Sequence, residues 1–312
     1  MFAGFVARDF DAYEARKWKS NVFNRERMEV KQKLLELGRA IESSLRDSDG
    51  APLVVEASVE HPAHFNHKQV EAQHLYFSRN EGARKELDAI LNREKSMTSI
   101  FDDPSPQRNH VFLAVTLREA GVELALRLHP DAKIDRQNFE RKLADHFERE
   151  KAEYLVKQLD GFSFGVGDEA RAAQAVDAPY LEQLLQRLAA PPPALQAPSL
   201  FEVVRRFERA QAIDAGAGFA EQVAEGLRHL LPLYHFIAWS RSNDFVLMRE
   251  QLQKEKQQLR QRGLVKNDAV RIVRGIMSGK AGVVQEIDSK GTLRVLVGKM
   301  VVKLDAEDVV KS

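Results

Sequence analysis

The chain has 312 residues, 44% of them apolar and 30% charged, enough for two domains and for a core that needs no covalent staples. Its 47 basic and 46 acidic residues give a formal net charge of +1, which excludes a globally basic nucleic-acid coat and an acidic disordered tail but leaves room for a local basic face. Cysteine is absent, so disulfides, thiolate metal sites and cysteine nucleophiles are excluded.

In chain order, Val30, Leu34, Leu37, Ile41 and Leu45 recur every three to four residues and predict a helix that stops at Asp47, Asp49 and Gly50. Leu53 to Ser58 and His74 to Ser78 read as short strands, and Glu81 to Glu94 as a helix with Leu87, Ile90 and Leu91 on one face. The strongest β signal runs from Val111 to Leu128. Alternating apolar residues on both sides of Glu119-Ala120-Gly121 predict an antiparallel hairpin, ended by Pro130. Ile134 to Leu159 reads as one long charged amphipathic helix, with Asp135 favourably placed in its first turn. Gly161, Gly165 and Gly167 read as a loop; they lack the Lys-Ser/Thr of a phosphate loop and the spacing of a dinucleotide fold. Pro191-Pro192-Pro193 and Pro198 form a semi-rigid break. Phe201, Val204 and Phe207 then suggest a return to helix. Phe219 to Trp239 is a further helix that Pro232 should kink or split. Ser242 is read as the cap of a charged helix, Asn243 to Arg262, with Phe245, Met248, Leu252 and Leu259 near heptad positions; about three heptads favour a short packed or connecting helix over a coiled coil.

The last fifty residues differ in kind. Short valine-rich runs are punctuated by Gly275, Gly279, Gly282, Gly291 and Gly298, the pattern of a small, strongly bent sheet or barrel. Asn267-Asp268-Ala269-Val270-Arg271-Ile272-Val273-Arg274-Gly275, followed by Ser278-Gly279-Lys280-Ala281-Gly282-Val283-Val284, resembles a KOW domain. With Val295 to Lys303 and the closing Asp305 to Val309, it looks most like the KOW module of MutS-like ribosome-rescue ATPases. The resemblance covers residues 263–311 and not the ATPase, since no Walker A sequence occurs. It implies an SH3-like barrel that contacts RNA or ribonucleoprotein. Asn267-Asp268 stands where the family has Gly-Asp, a substitution that asparagine's tolerance of left-handed backbone permits.

The charges agree with that implication. From Arg262 to Lys280 there are five bases against one acid, Asp268, a local net of +4. Lys266, Arg271, Arg274 and Lys280 are the candidate phosphate or partner contacts, with Gly275, Gly279 and Gly282 shaping the loop. No aromatic residue lies between Gly263 and Ser312, which disfavours a base-stacking platform and favours structured RNA.

Elsewhere, His61, His64, His67 and His74 lie within fourteen residues and are the candidate metal or catalytic group, with Glu60 and Glu71 as completing carboxylates. Pro62 breaks their helical spacing and no H-E-x-x-H occurs, so polar loop histidines are the plainer reading and no metal or cofactor is assigned. Arg108-Asn109-His110 precedes a strand but lacks an identifiable catalytic partner. The Met1-Phe2-Ala3-Gly4-Phe5 start, Asp9-Phe10, Tyr76-Phe77, the hairpin and Leu231-Pro232-Leu233-Tyr234 resemble YktB-like bacterial α+β domains, which implies a fold and not an activity.

The reading is therefore α+β: a large mixed helix and antiparallel-sheet domain at 1–240, a charged linking helix at 241–262, and a barrel at 263–312. The first ten residues lack a signal-peptide pattern and no apolar run reaches the length of a membrane span, so a cytoplasmic location is expected. The expected function is non-catalytic docking on the ribosome, other RNA or the transcription machinery, the alternatives being an enzyme using the histidines or a protein–protein adaptor.

Overall fold

The alternating stretch before and after Gly121 folds as an antiparallel hairpin. In the computed structural model, β3 (Phe112–Arg118) and β4 (Gly121–Leu128) pair from Phe112↔Arg127 to Arg118↔Gly121. Gly121 has φ +156°, and a Cβ there would lie 2.1 Å from the Phe207 carbonyl oxygen, so the turn accepts no side chain. The structure describes residues 2–47, 50–58, 69–94, 109–189, 200–245, 266–275, 277–287, 292–298, 300–305 and 308–311. It divides into two compact units, Met1–Asp244 and Phe245–Ser312. The fold is α+β, with antiparallel sheets in both units.

The first unit is built on a seven-stranded antiparallel sheet in the order β1-β2-β3-β4-β7-β5-β6. Its other strands are β1 (Val54–Ala57), β2 (Ala72–Ser78), β5 (Ser163–Val166), β6 (Arg171–Ala172) and β7 (Phe201–Glu208). The registers align Phe77, Leu113, Leu126, Val203 and Phe164 in one apolar row across five strands. Gln73, Leu117, Val122 and Phe207 form a parallel row. Among the helices that pack on the sheet are α2 (Asn24–Ile41), on β1 and β2, and α8 (Phe219–Ile237), on β3 and β4. The predicted apolar face of α2 is the buried one, with Val30, Leu34, Leu37 and Ile41 each at most 3% exposed. Among the other helices are α1 (Ala7–Asp11), α3 (Glu81–Glu94), α4 (Lys133–Ala144), α5 (His146–Lys157), α6 (Ala178–Ala189) and α7 (Arg209–Asp214).

Several sequence expectations change, each for a local reason. The α2 helix ends at Ile41, and a 3-10 turn carries Glu42–Ser44. The helix expected over 134–159 is two helices, because Asp145 is extended at φ −86°, ψ 133° and its Oδ1 accepts from the amides of Phe147 and Glu148. Gly165 lies inside strand β5 rather than a loop; at φ +150° its missing Cβ leaves room for the Tyr180 hydroxyl. Phe201, Val204 and Phe207 belong to β7, where pairing to β4 on one side and β5 on the other overrides their helical spacing. Pro232 does not split α8. Pro232 and Arg228, whose carbonyl loses its amide partner, are both exposed residues, while Leu230, Leu233, Tyr234 and Ile237 hold the buried face. The expected helix of 243–262 lies outside the described residues from 246 onward.

Helix α4 is unusual in burying polar residues: Asp135 and Asn138 are 0% exposed and Lys142 is 4% exposed, at positions i, i+3 and i+7. That stripe caps the C-terminus of α8, whose last carbonyls have no partner within the helix. Lys142 Nζ donates to Phe236 O at 2.9 Å and Asn138 Nδ2 to Ile237 O at 3.2 Å. Asn243 Nδ2 donates to His235 O and Ala238 O. Asp135 accepts from Trp239 N, Val111 N and twice from Arg79 Nη2, all at 2.7 Å, and Arg79 Nη1 donates to Trp239 O at 3.0 Å. Removing one member of so buried a pair strands the other. Asp135→Ala is expected to lower unfolding free energy by roughly 3–5 kcal/mol. Arg79→Met/Asp135→Leu should recover only part of it, because two backbone amides still lose their acceptor. Urea titration followed by tryptophan fluorescence measures this directly, since Trp18 and Trp239 are the chain's two tryptophans.

Candidate functional sites

The second unit carries the predicted basic residues. Strands β8 (Ala269–Ile272), β9 (Ala281–Ile287), β10 (Thr292–Val297), β11 (Met300–Asp305) and β12 (Val309–Lys311) form one antiparallel sheet in the order β11-β10-β9-β8-β12. Four strands meander and the fifth returns to pair with the first. Val270, Ile272, Val284, Leu293, Val295, Val297 and Val309 make its core. Alternation along β8 therefore turns Arg271 outward.

The β8–β9 connection is a tight turn. Ile272 N donates to Lys280 O at 2.9 Å and Gly279 N to Ile272 O at 2.7 Å, which brings the ends together. Gly275 at φ +84° and Gly279 at φ +87° supply left-handed backbone within it. Gly282 has a different role from the one expected. It lies inside β9, where a Cβ would meet Val295 Cγ1 at 2.5 Å and Leu296 O at 2.9 Å, so it serves strand packing and not the loop. Asn267 adopts φ +76°, a left-handed conformation that asparagine tolerates better than most residues.

Arg271, Arg274 and Lys280 are exposed at this end of the sheet. Lys266 is not among them: Asn267 N donates to Val284 O, placing Lys266 at the opposite end of β8. Among the described residues Lys266, Arg271 and Lys280 form no ion pair. Asp268 is held by Lys311 at 2.8 Å. Asp308 brings a carboxylate residue to the turn end, its backbone oxygen accepting from Val273 N at 2.7 Å.

In the first unit, His61, His64, His67 and Glu60 lie outside the described residues. His74 sits on β2, its Nδ1 2.9 Å from Thr116 Oγ1 and its ring stacked on Tyr76 at 5.6 Å. Glu71 is exposed. Among the described residues no group of three His, Asp or Glu could hold a metal ion. The face that carries His74 is laced by charge. Thr116 Oγ1 also accepts from Arg127 Nη1, Arg127 bridges Glu123 and Glu202, and Arg206 reaches Glu123 at 3.1 Å. Burial by itself raises the Glu123 carboxyl, but Arg118, Arg127 and Arg206 outweigh it and hold the group below the usual carboxylate range.

Sequence reasoning missed the buried polar cluster around Arg79. His110 is 2% exposed beside Arg79 and Asp135, and burial followed by the nearby Arg79 charge lowers its pKa to about 3. It is a neutral, enclosed imidazole, closed to a substrate. Burial also pushes the Tyr234 phenol upward; its hydroxyl lies by the Arg79 guanidinium without an aligned hydrogen bond. Lys142 is lowered to about 8, chiefly by burial. The one available signal was Asp135 with Asn138 and Lys142 on a single helical face, a polar stripe where an apolar one is usual.

No protein-family model matches this chain, and no curated protein matches it.

The His110 shift has a fixed sign. The folded pKa lies below the unfolded one, so the unfolded chain takes up more protons between about pH 6.5 and 3, and stability falls as pH falls through that window. Lys142 acts in the same sense at higher pH, with stability rising from about pH 8 toward 10.5. Urea midpoints at pH 7, 5.5 and 4.5 should fall less steeply for His110→Gln than for the native chain. Equal slopes would remove His110 as the titrating group.

Proposed function

We propose that this protein docks on structured RNA or a ribonucleoprotein, such as the ribosome or the transcription machinery, through a KOW-type barrel formed by its C-terminal unit. The observation that carries this reading is the gathering of Arg271, Arg274 and Lys280 at one glycine-shaped turn, with Arg271 and Lys280 unpaired among the described residues and Asp268 engaged by Lys311. Rigidly presented cations suit phosphate contact, which positions a module without reading sequence. The lack of aromatics from 263 to 312 fits a folded RNA surface better than single strands. In this reading the first unit engages a second partner, and the chain performs no chemistry of its own. No helix among the described residues is long and apolar enough to cross a membrane.

A second reading, a protein-binding barrel, is favoured by one feature. Ala269, Val283, Leu296 and Val301 are register neighbours across four strands on the outer face, and Val283, Val301 and nearby Met300 are 39%, 52% and 56% exposed.

The test is charge reversal. Arg271→Glu/Arg274→Glu/Lys280→Glu should leave the fold intact, lower affinity for ribosomes or structured RNA at least tenfold, and reduce the log–log salt slope by about 2–3. Lys266→Glu should have a smaller effect, because it lies at the other end of the strand. Unchanged co-sedimentation at matched salt would remove the RNA reading. Partner capture that survives RNase treatment would favour the protein-binding one.

A further inference from the structure

Two exposed aromatic side chains of the first unit lie on α5. Phe147 is 77% exposed and Tyr154 65% exposed. Among the described residues they are the only exposed aromatic side chains. Every other described Phe, Tyr or Trp is buried or half-buried, so leaving two rings in water seven residues apart on one helix is out of keeping with this chain.

The opposite face of α5 is spoken for. Ala152 and Val156 are buried, and Arg149 pairs with Glu182 of α6 at 3.1 Å. The outer face consists of Phe147, Glu150, Lys151 and Tyr154, spaced i, i+3, i+4 and i+7. Their order is symmetric. Phe147 and Tyr154 lie equally far from the midpoint between Glu150 and Lys151, about 5 Å along the axis at 1.5 Å per residue.

An antiparallel copy of the helix, placed on a two-fold axis through that midpoint, meets its own complement. Phe147 faces Tyr154 of the second copy, and Glu150 faces Lys151 of the second copy; each contact occurs twice. A two-fold interface requires this self-complementarity, and a charge pattern of one sign would forbid it. The local contacts that compete are weak surface ones. His146 Nε2 lies 3.4 Å from Glu150, and Lys151 Nζ lies 4.0 Å from Glu148 and 5.8 Å from the Phe236 ring centre.

We propose that this face of α5 is a homodimer interface, in which two copies pair antiparallel through the Phe147–Tyr154 and Glu150–Lys151 contacts. Two aromatic anchors on each side are the residue type that dominates interface energetics, and the central pair of opposite charges fixes the antiparallel register. One helix pair is small beside a standard interface, so the dimer is weak and concentration-dependent.

Sedimentation velocity of the full chain between roughly 1 and 300 µM tests this, spanning the affinities expected of a weak complex. The native chain should move from monomer to dimer across that range. Lys151→Glu sets Glu150 against a like charge and should weaken dimerisation at least tenfold. Glu150→Lys/Lys151→Glu restores opposite charges across the axis and should recover it. Phe147→Ala/Tyr154→Ala should abolish it. These side chains are exposed, so at a concentration where the native chain is monomeric, far-ultraviolet circular dichroism and melting temperature should not change in any variant. A native chain that stays monomeric overturns the proposal. So does a dimer indifferent to Lys151→Glu, or one that the double exchange fails to rescue.

Discussion

The first unit depends on one buried carboxylate. Asp135 is 0% exposed and accepts four hydrogen bonds, from Arg79, from the amide that opens the hairpin, and from the amide that follows α8. A carboxylate so enclosed is tolerable only when its lone pairs are filled and its charge is matched. Burial works against the Arg79 guanidinium too, and the adjacent Asp135 carboxylate more than offsets it, so the guanidinium stays charged. One ion pair thereby fixes the end of β2, the start of β3, the first turn of α4 and the exit of α8 relative to one another.

The same arrangement explains why α4 does not look amphipathic in the usual sense. Its inner stripe serves the carbonyl end of another helix, where donors and positive charge are both favourable. Lys142 supplies both, and Phe236 beneath it adds a ring face at 4.4 Å. The second unit is held differently. Among the described residues its core is seven small or medium apolar side chains, and its turns use glycines and one asparagine that accept backbone geometry other residues resist. That economy leaves the turn and outer face free for contacts, which is where the exposed cations and the outward apolar row lie.

Much of the α+β class was legible. The α2 face was readable because it buries one side against the sheet, so the hydrophobic period survives; the 111–128 hairpin was readable from the even spacing of its aliphatic residues about Gly121, although Phe112 to Leu117 are buried on both faces. The pattern of 201–208 was not, because Arg205 occupies the inward row beside Leu124 and breaks the alternation. The Asp145 break was present as Asp-x-x-Glu, a helix-start signal hidden within a longer charged periodicity. At the candidate interface, the identity of Arg271, Arg274 and Lys280 was readable from local charge, whereas the separation of Lys266 and the packing role of Gly282 required the register of β8 and β9.

By itself, the sequence determined the absence of thiol chemistry, the period-two hairpin, the glycine-punctuated strands near the C-terminus and the local basic excess, since each follows from residue type and spacing along a few neighbours. Only the tertiary structure decided which polar residues are buried. Arg79, His110, Asp135 and Tyr234 come from four separate stretches, and nothing in the neighbours of any one announces the others. Their burial depends on long-range contacts, and so do the neutral state of His110 and the lowered Lys142. The net charge of +1 is likewise only a sum; how the chain folds decides which of its charges cancel and which face water.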